Sequence, residues 1–262
     1  MIPRTRWRAA LRVHVAAIAM LLVLAASASG ATRYAAPAGA GAEPCLLASP
    51  CSLPTAVSGV ASGDVVHLLP GTYATTAPLI VSVDAVTIEG EGAPGPEIVY
   101  TPTNPTFQAL IGSATSLTLR GFRLRTASTT FTAALVLMTD GAIQRVQLRN
   151  AGTTAALVAS SAEVRDSVIV ASTTFDAAAK IGSGALTGST VVADAGGTAR
   201  AIANLSGPAS VLTIRNSILR GSDFDIAVNR DSIADSATLD VDYSAYRDGS
   251  IRLPGVDVTV TE

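Results

Sequence analysis

The sequence has little histidine and cysteine, two residue types that build many catalytic and metal centres. It contains two histidines and two cysteines, and no two aspartates are adjacent. With His14 near the amino terminus and His67 far from both cysteines, these side chains cannot supply the ligands of a structural zinc site. The residue inventory therefore assigns no catalytic residue, no metal ligand and no cofactor.

Helical periodicity is missing after residue 62. The crossover helices of a doubly wound α/β fold therefore have no place in the sequence. One earlier segment, Cys51–Val60, does have helical spacing, because its apolar residues fall on one face and Pro54 lies in the first turn. We expect a short capping helix there and an all-β fold after it.

The amino terminus has the pattern of a secretory signal. Four arginines between residues 4 and 12 precede the apolar stretch Val13–Leu24, and small residues follow it. This stretch is shorter than the ~20 residues needed to span a bilayer, which favours a cleaved peptide over an uncleaved anchor. We predict a signal peptide over residues 1–31 and a secreted or cell-surface protein without stable membrane insertion.

Charge and cysteine content agree with export. The signal takes four of the 18 basic residues and none of the 20 acidic ones, so the mature chain has a net charge near −6. That balance disfavours nucleic acid as a partner. Cys45 and Cys51 predict one local disulfide in an oxidising compartment. Residues 32–44, rich in Ala, Gly and Pro, predict a flexible lead-in to a domain over residues 45–262.

A short strand phrase recurs from the middle of the chain to its end. Its anchoring apolar residues are 21 to 28 residues apart, a spacing that suits one coil of a β-solenoid and is too short for helix-pair repeats. An apolar run precedes most phrases, which predicts two strands per coil and about seven coils. The anchors are Leu119, Ile143, Val164, Leu186, Ile214 and Val241.

Positions within the phrase have separate roles. Two residues after the anchor we expect a sharp bend, because Gly121, Asp166, Gly188 and Asn216 tolerate left-handed backbone, with Arg145 and Tyr243 as exceptions. The next position points inward, and its hydroxyls, stacked about 4.8 Å apart, are expected to hydrogen-bond along the ladder. These residues are Ser167, Ser189, Ser217 and Ser244.

These motifs are similar to those of a known group. The stretch Pro50-Cys-Ser-Leu-Pro-Thr-Ala-Val57, then Gly63-Asp64 and Leu69-Pro-Gly-Thr-Tyr73, and later Leu212-Thr-Ile-Arg-Asn-Ser-Ile-Leu219, resemble secreted bacterial proteins of the pectin lyase-like superfamily. The resemblance covers roughly residues 45–250 and implies a right-handed parallel β-helix (β-solenoid). A further segment commonly follows the last coils in such proteins, so a short or truncated member is expected.

Pectate-lyase relatives hold calcium with clustered aspartates, but no residue-by-residue match to that cluster exists here. Two same-face pairs, Asp223 with Asp225 and Asp240 with Asp242, are candidate calcium ligands, and solvated turns explain the same residues. Hydrolases of this fold use close aspartates and a histidine in the cleft. We expect His67 to be structural or exposed instead.

Arginines offer the other candidate surface. Between residues 116 and 165 there are six basic and two acidic residues. Guanidinium groups suit planar carboxylates, so an acidic polysaccharide is the expected partner, although solvated edge charges account for the same residues. We expect a non-catalytic carbohydrate-binding or adhesion module, with a lyase or hydrolase of uronate glycans as the alternative. The arginines are Arg120, Arg123, Arg125, Arg145, Arg149 and Arg165.

Overall fold

A computed structural model describes residues 30–92, 95–113, 116–195, 200–205, 210–229, 237–247, 251–252 and 258–261. The unit Ala31–Glu262 is an all-β parallel solenoid of about six turns, which confirms the predicted fold class with one coil fewer. Most of the predicted signal peptide lies outside the described residues. The elements are helix α1 (Leu53–Ser58) and strands β1 (Thr32–Ala35), β2 (Val65–Leu68), β3 (Thr72–Thr75), β4 (Leu79–Val81), β5 (Thr87–Gly90), β6 (Glu97–Tyr100), β7 (Leu110–Gly112), β8 (Leu117–Arg120), β9 (Arg123–Thr126), β10 (Val136–Gln144), β11 (Gln147–Asn150), β12 (Leu157–Arg165), β13 (Val168–Ala171), β14 (Ala177–Thr187), β15 (Thr190–Ala193), β16 (Arg200–Leu205), β17 (Ser210–Arg215), β18 (Ile218–Arg220), β19 (Phe224–Asn229), β20 (Ala237–Asp242), β21 (Ile251–Arg252) and β22 (Val258–Thr261).

The chain winds through three faces, where the sequence predicted two strands per coil. The first face contains β4, β7, β16, β19, β21 and the first halves of β10, β12 and β14. The second contains β1, β2, β5, β8, β17, β20, β22 and the second halves of the same three long strands. The third contains β3, β6, β9, β11, β13, β15 and β18. Long strands serve two faces because they bend midway, as at Gly184, whose φ is +122° and where a Cβ would lie 2.1 Å from the Ala162 carbonyl oxygen.

The six predicted anchors form one column on the second face. Parallel registers join them in order, from Leu119 opposite Ile143 to Ile214 opposite Val241. All six are buried, and the column continues back to Ile88 and Val66. The repeated phrase therefore arises from this apolar stack, because each coil contributes one anchor to it and is stabilised by the anchors of its neighbours.

All six predicted bend residues adopt left-handed backbone. Their φ angles lie between +48° and +72°, and Arg145 and Tyr243 bend like the glycines and Asn216. The fold requires the bend in every coil, so these two side chains adopt a conformation that costs about 1–2 kcal/mol.

Replacing Tyr243 with asparagine should therefore raise the free energy of unfolding by about 1 kcal/mol, because asparagine tolerates positive φ better. The tyrosine side chain is 85% exposed, so little packing is lost. Urea denaturation of the full chain measures the change. Tyr243→Phe, which keeps the unfavourable backbone, is the control and should leave stability unchanged; an equal gain in both variants would contradict the explanation.

The inward serines form a ladder between coils, as predicted. The backbone N–H of Val146 donates to Ser167 Oγ at 3.2 Å, and the N–H of Ser167 donates to Ser189 Oγ at 3.1 Å. The N–H groups of Ser189 and Ser217 donate in the same way to Ser217 and Ser244, each at 3.2 Å. Each of these hydroxyls also donates to the carbonyl two residues before it, so the bend leaves no buried donor unpaired along this ladder.

The solenoid begins earlier than the predicted boundary. Thr32–Ala35, within the expected lead-in, forms β1 and pairs with β2. As predicted, α1 caps this end, with Ser52 as N-cap and three buried apolar residues facing the core. The Sγ atoms of Cys45 and Cys51 are 2.10 Å apart, the distance of a disulfide. Tyr73 donates its hydroxyl to the carbonyls of Ala35 and Leu69, and burial raises its pKa to about 12.

Candidate functional site

The six predicted arginines divide between two faces. Arg120 and Arg165 lie on the second face, whereas the other four lie on or beside the third. There, strand register places Gln147 next to Arg123 and Arg149 next to Arg125. We call the resulting surface the arginine patch; it consists of Arg123, Arg125, Arg145, Gln147 and Arg149.

Carboxylates from neighbouring positions neutralise part of this group. Glu89 pairs with Arg120, and Glu163 pairs with Arg165 at 2.7 Å. Glu97 contacts Arg125 at 3.1 Å and Arg123 at 3.9 Å.

Two members of the patch keep an unneutralised charge. Within the described ranges Arg145 and Arg149 are exposed and form no ion pair. They lie either side of Gln147, whose side chain is also exposed. These guanidinium groups can therefore bind an incoming anion without first breaking a protein contact.

A cleft of about 480 Å³ adjoins the patch at the bend between the second and third faces. Two arginines, one glutamate and one amide supply its polar side chains. Glycines bring its backbone segments close together, since a Cβ at Gly121 would lie 2.4 Å from the Gly90 carbonyl oxygen. The lining residues are Gly90, Glu91, Gly92, Gly95, Gly121, Phe122, Arg123, Arg145 and Gln147.

His67 lies among carboxylates near the edge of this cleft. Its side chain is only 13% exposed, so His67 has the structural environment and not the exposed one. Its Nδ1 is 3.4 Å from Glu89 Oε1, and its Nε2 is 3.8 Å from Glu91 Oε2. Burial opposes ionisation of Glu89, but hydrogen bonds from Arg120 and His67 outweigh it and lower the pKa of this carboxyl.

Sequence reasoning missed Glu89, Glu91 and Glu97. The signal that finds two of them is strand register: Glu89 stands opposite His67 one coil earlier and opposite Arg120 one coil later. Glu97 stands opposite Arg123 in the same way.

The four candidate calcium ligands do not come together. Asp225 belongs to β19 on the first face, whereas Asp240 and Asp242 belong to β20 on the second. Arg247 binds the Asp225 carboxylate at 3.0 Å, and Arg215 binds Asp240 at 3.1 Å. In the described part of the chain, no group of three or more His, Cys, Asp or Glu side chains is placed to hold a metal ion.

The outer surface of the first face is aliphatic. Ile80, Ile111, Leu137 and Val158 stack in register, one per coil, and Ile80 is exposed. Lys180 continues the same column and pairs with Asp176 at 2.7 Å. The aliphatic part of this column, from Ile80 to Val158, offers no polar group to a ligand.

No protein-family model, curated protein or solved structure matches this chain. Among the described residues, no helix has the length and apolarity to cross a membrane.

Proposed function

We propose that this protein is an exported, non-catalytic module that binds an acidic polysaccharide through the arginine patch. The observation that carries the proposal is the pair of unneutralised guanidinium groups either side of Gln147, with Arg145 at the bend before β11 and Arg149 on that strand. Arginine presents a planar fork of donors that matches a carboxylate. A polymer with regularly spaced carboxylates can engage both arginines at once.

Charge distribution supports local recognition over general attraction of anions. The chain as a whole is acidic, and nearby arginines are paired with Glu89, Glu97 and Glu163. Exposed contacts of this kind are screened by salt, with a Debye length of about 8 Å at physiological ionic strength. Binding is therefore expected to be reversible and salt-dependent.

Export is part of the proposal. The amino-terminal signal pattern favours it. A cysteine pair at disulfide distance is compatible with an oxidising compartment. The pectin lyase-like resemblance is likewise an inference from residues 50–73 and the repeated phrase.

Removing both free guanidinium groups tests the binding site. We expect Arg145→Ala with Arg149→Ala to weaken binding to polygalacturonate on the order of tenfold, because two charge-assisted contacts are lost. Isothermal titration calorimetry at low and physiological salt measures the effect. Arg215→Ala removes an arginine already paired with Asp240 and should change affinity less than twofold, as expected for an exposed pair worth about 0–1 kcal/mol. Equal losses in the two proteins would contradict the patch as the site.

A uronate lyase or glycoside hydrolase is the second candidate, and one observation favours it. Glu91 lines the cleft and lies 3.8 Å from His67, which places a carboxylate and an imidazole together. Formation of unsaturated uronates or of reducing ends from polygalacturonate, abolished by Glu91→Gln, would replace the binding-module proposal. Binding of the polymer without formation of either product supports the binding-module proposal.

A further inference from the structure

Glu91 stands out from the other acidic residues near the arginine patch. Glu89 and Glu97 form ion pairs with Arg120 and Arg125, so their carboxylates already have partners within the protein. Glu91 is 76% exposed, and its ion-pair contact in the described ranges is the long one to His67. The carboxylate of Glu91 therefore remains open to the cleft beside Arg123 and Arg145.

A free carboxylate in an anion-binding cleft has an electrostatic cost. It repels every polyanion, so it disfavours ligands that offer only negative charge. The same group is a strong acceptor for hydroxyl donors, since an ionised carboxylate accepts through both oxygens. The cleft thus suits a ligand that carries an anion and neighbouring hydroxyl groups together.

Arg123 completes this arrangement. Its guanidinium is loosely held, with one nitrogen 3.5 Å from the Gly95 carbonyl oxygen and another 3.9 Å from Glu97. Its Nε is buried and has no hydrogen-bond partner among the described residues. Turning the terminal nitrogens toward a ligand carboxylate would break only these two long contacts.

We propose that Glu91 determines the specificity of the cleft. It accepts hydrogen bonds from the hydroxyls of a uronate sugar whose carboxylate is bound by Arg123 and Arg145, and it repels densely sulfated polymers that have few free hydroxyls. This inference rests on the proposed function and deepens it, because it selects one class of acidic polysaccharide over another.

The test measures binding of the full chain to polygalacturonate and to dextran sulfate. Glu91→Gln removes the charge and keeps a weaker, neutral acceptor. Dextran sulfate affinity should therefore rise about threefold, whereas for polygalacturonate the weaker hydrogen bonds offset the lost repulsion and affinity should stay within about twofold. Glu91→Ala also removes the acceptor, so polygalacturonate affinity should fall about threefold. Asp194→Asn is the control, because it removes an exposed charge outside the cleft lining and should not change the ratio of the two affinities.

Two results would overturn this inference and leave the proposed function standing. One is an equal rise for both polymers in Glu91→Gln, which would make Glu91 a general repulsive charge. The other is an unchanged affinity ratio in both Glu91 variants. If the wild-type chain binds neither polymer, the proposed function fails and this inference fails with it.

Discussion

Replacing Asp225 with alanine is expected to lower the free energy of unfolding by about 3 kcal/mol. The Asp225 side chain is 0% exposed. Its carboxylate accepts from the N–H of Gly221 at 2.8 Å, the N–H of Arg247 at 2.6 Å and the Arg247 guanidinium at 3.0 Å. Without it, these donors lose their acceptor where water has little access. Urea denaturation followed by circular dichroism measures the loss.

The same residue predicts a pH dependence. Burial opposes ionisation of Asp225, but hydrogen bonds from Arg247 and Gly221 outweigh it and lower the pKa of the carboxyl in the folded state. Its stabilisation is therefore fully present above the ordinary aspartate pKa of about 4 and is lost as the pH falls through the lower folded value. The stability difference between wild type and Asp225→Ala should shrink in that acidic window. Asp240→Ala, which removes a more exposed partner of Arg215, should cost less than about 1 kcal/mol; equal losses in the two variants would argue against burial as the cause.

Replacing Asn150 with alanine is also expected to lower the free energy of unfolding by about 3 kcal/mol. This inward side chain closes the loop after β11. Its Oδ1 accepts from the N–H of Gly152 at 2.8 Å, and its Nδ2 donates to the carbonyls of Ala155 and Thr154 at 2.9 and 3.1 Å. Alanine leaves these buried groups unpaired. Equilibrium unfolding measures the effect, and loss of protection of the Gly152 amide in hydrogen exchange locates it.

An exposed asparagine with the same local geometry provides the control. Asn104 accepts from the N–H of Thr106 at 3.0 Å and from its hydroxyl at 2.8 Å, but its loop is solvated. Asn104→Ala should therefore change stability by less than about 0.5 kcal/mol. An Asn150→Ala protein as stable as Asn104→Ala would show that water replaces the lost hydrogen bonds.

Much of the solenoid could be predicted because its repeated positions are chemically uniform. Aliphatic anchors such as Leu119 and Val164 follow from the repeat spacing. The bends at Gly121 and Asp166 follow from residue types that tolerate positive φ, and the inward Ser167 follows from period-two alternation. The third face was not foreseen. The repeated phrase predicts one strand, whereas its bend divides it between the second and third faces, so that Gly121 separates β8 from β9.

In the candidate site, the arginines could be predicted from the sequence, but their carboxylate partners could not. The arginines are visible as a local cluster, but their neutralisation depends on Glu89 and Glu97, which precede the first repeat phrase. Leu119 follows its register partner Ile88 by 31 residues (119 − 88), against 21 to 28 between later anchors, so counting back from the anchors misaligns these residues. Asn150 was missed for another reason: asparagine before Ala-Gly looks like an ordinary surface turn, and its burial depends on which way the loop folds.

The hydrogen bonds of the serine ladder all run from one coil to the next, and this common direction determines how such a chain can change in length. Each donor lies in one coil and its hydroxyl acceptor in the next, as with the N–H of Ser167 and Ser189 Oγ, 22 residues apart. A duplicated segment running from one serine to the next would bring its own anchor, bend and hydroxyl, and would receive the N–H of the coil before it. Growth or loss of whole coils is therefore possible without altering either neighbour, so duplication of a coil could lengthen this protein, and deletion of one could shorten it, while the arginine patch stays unchanged.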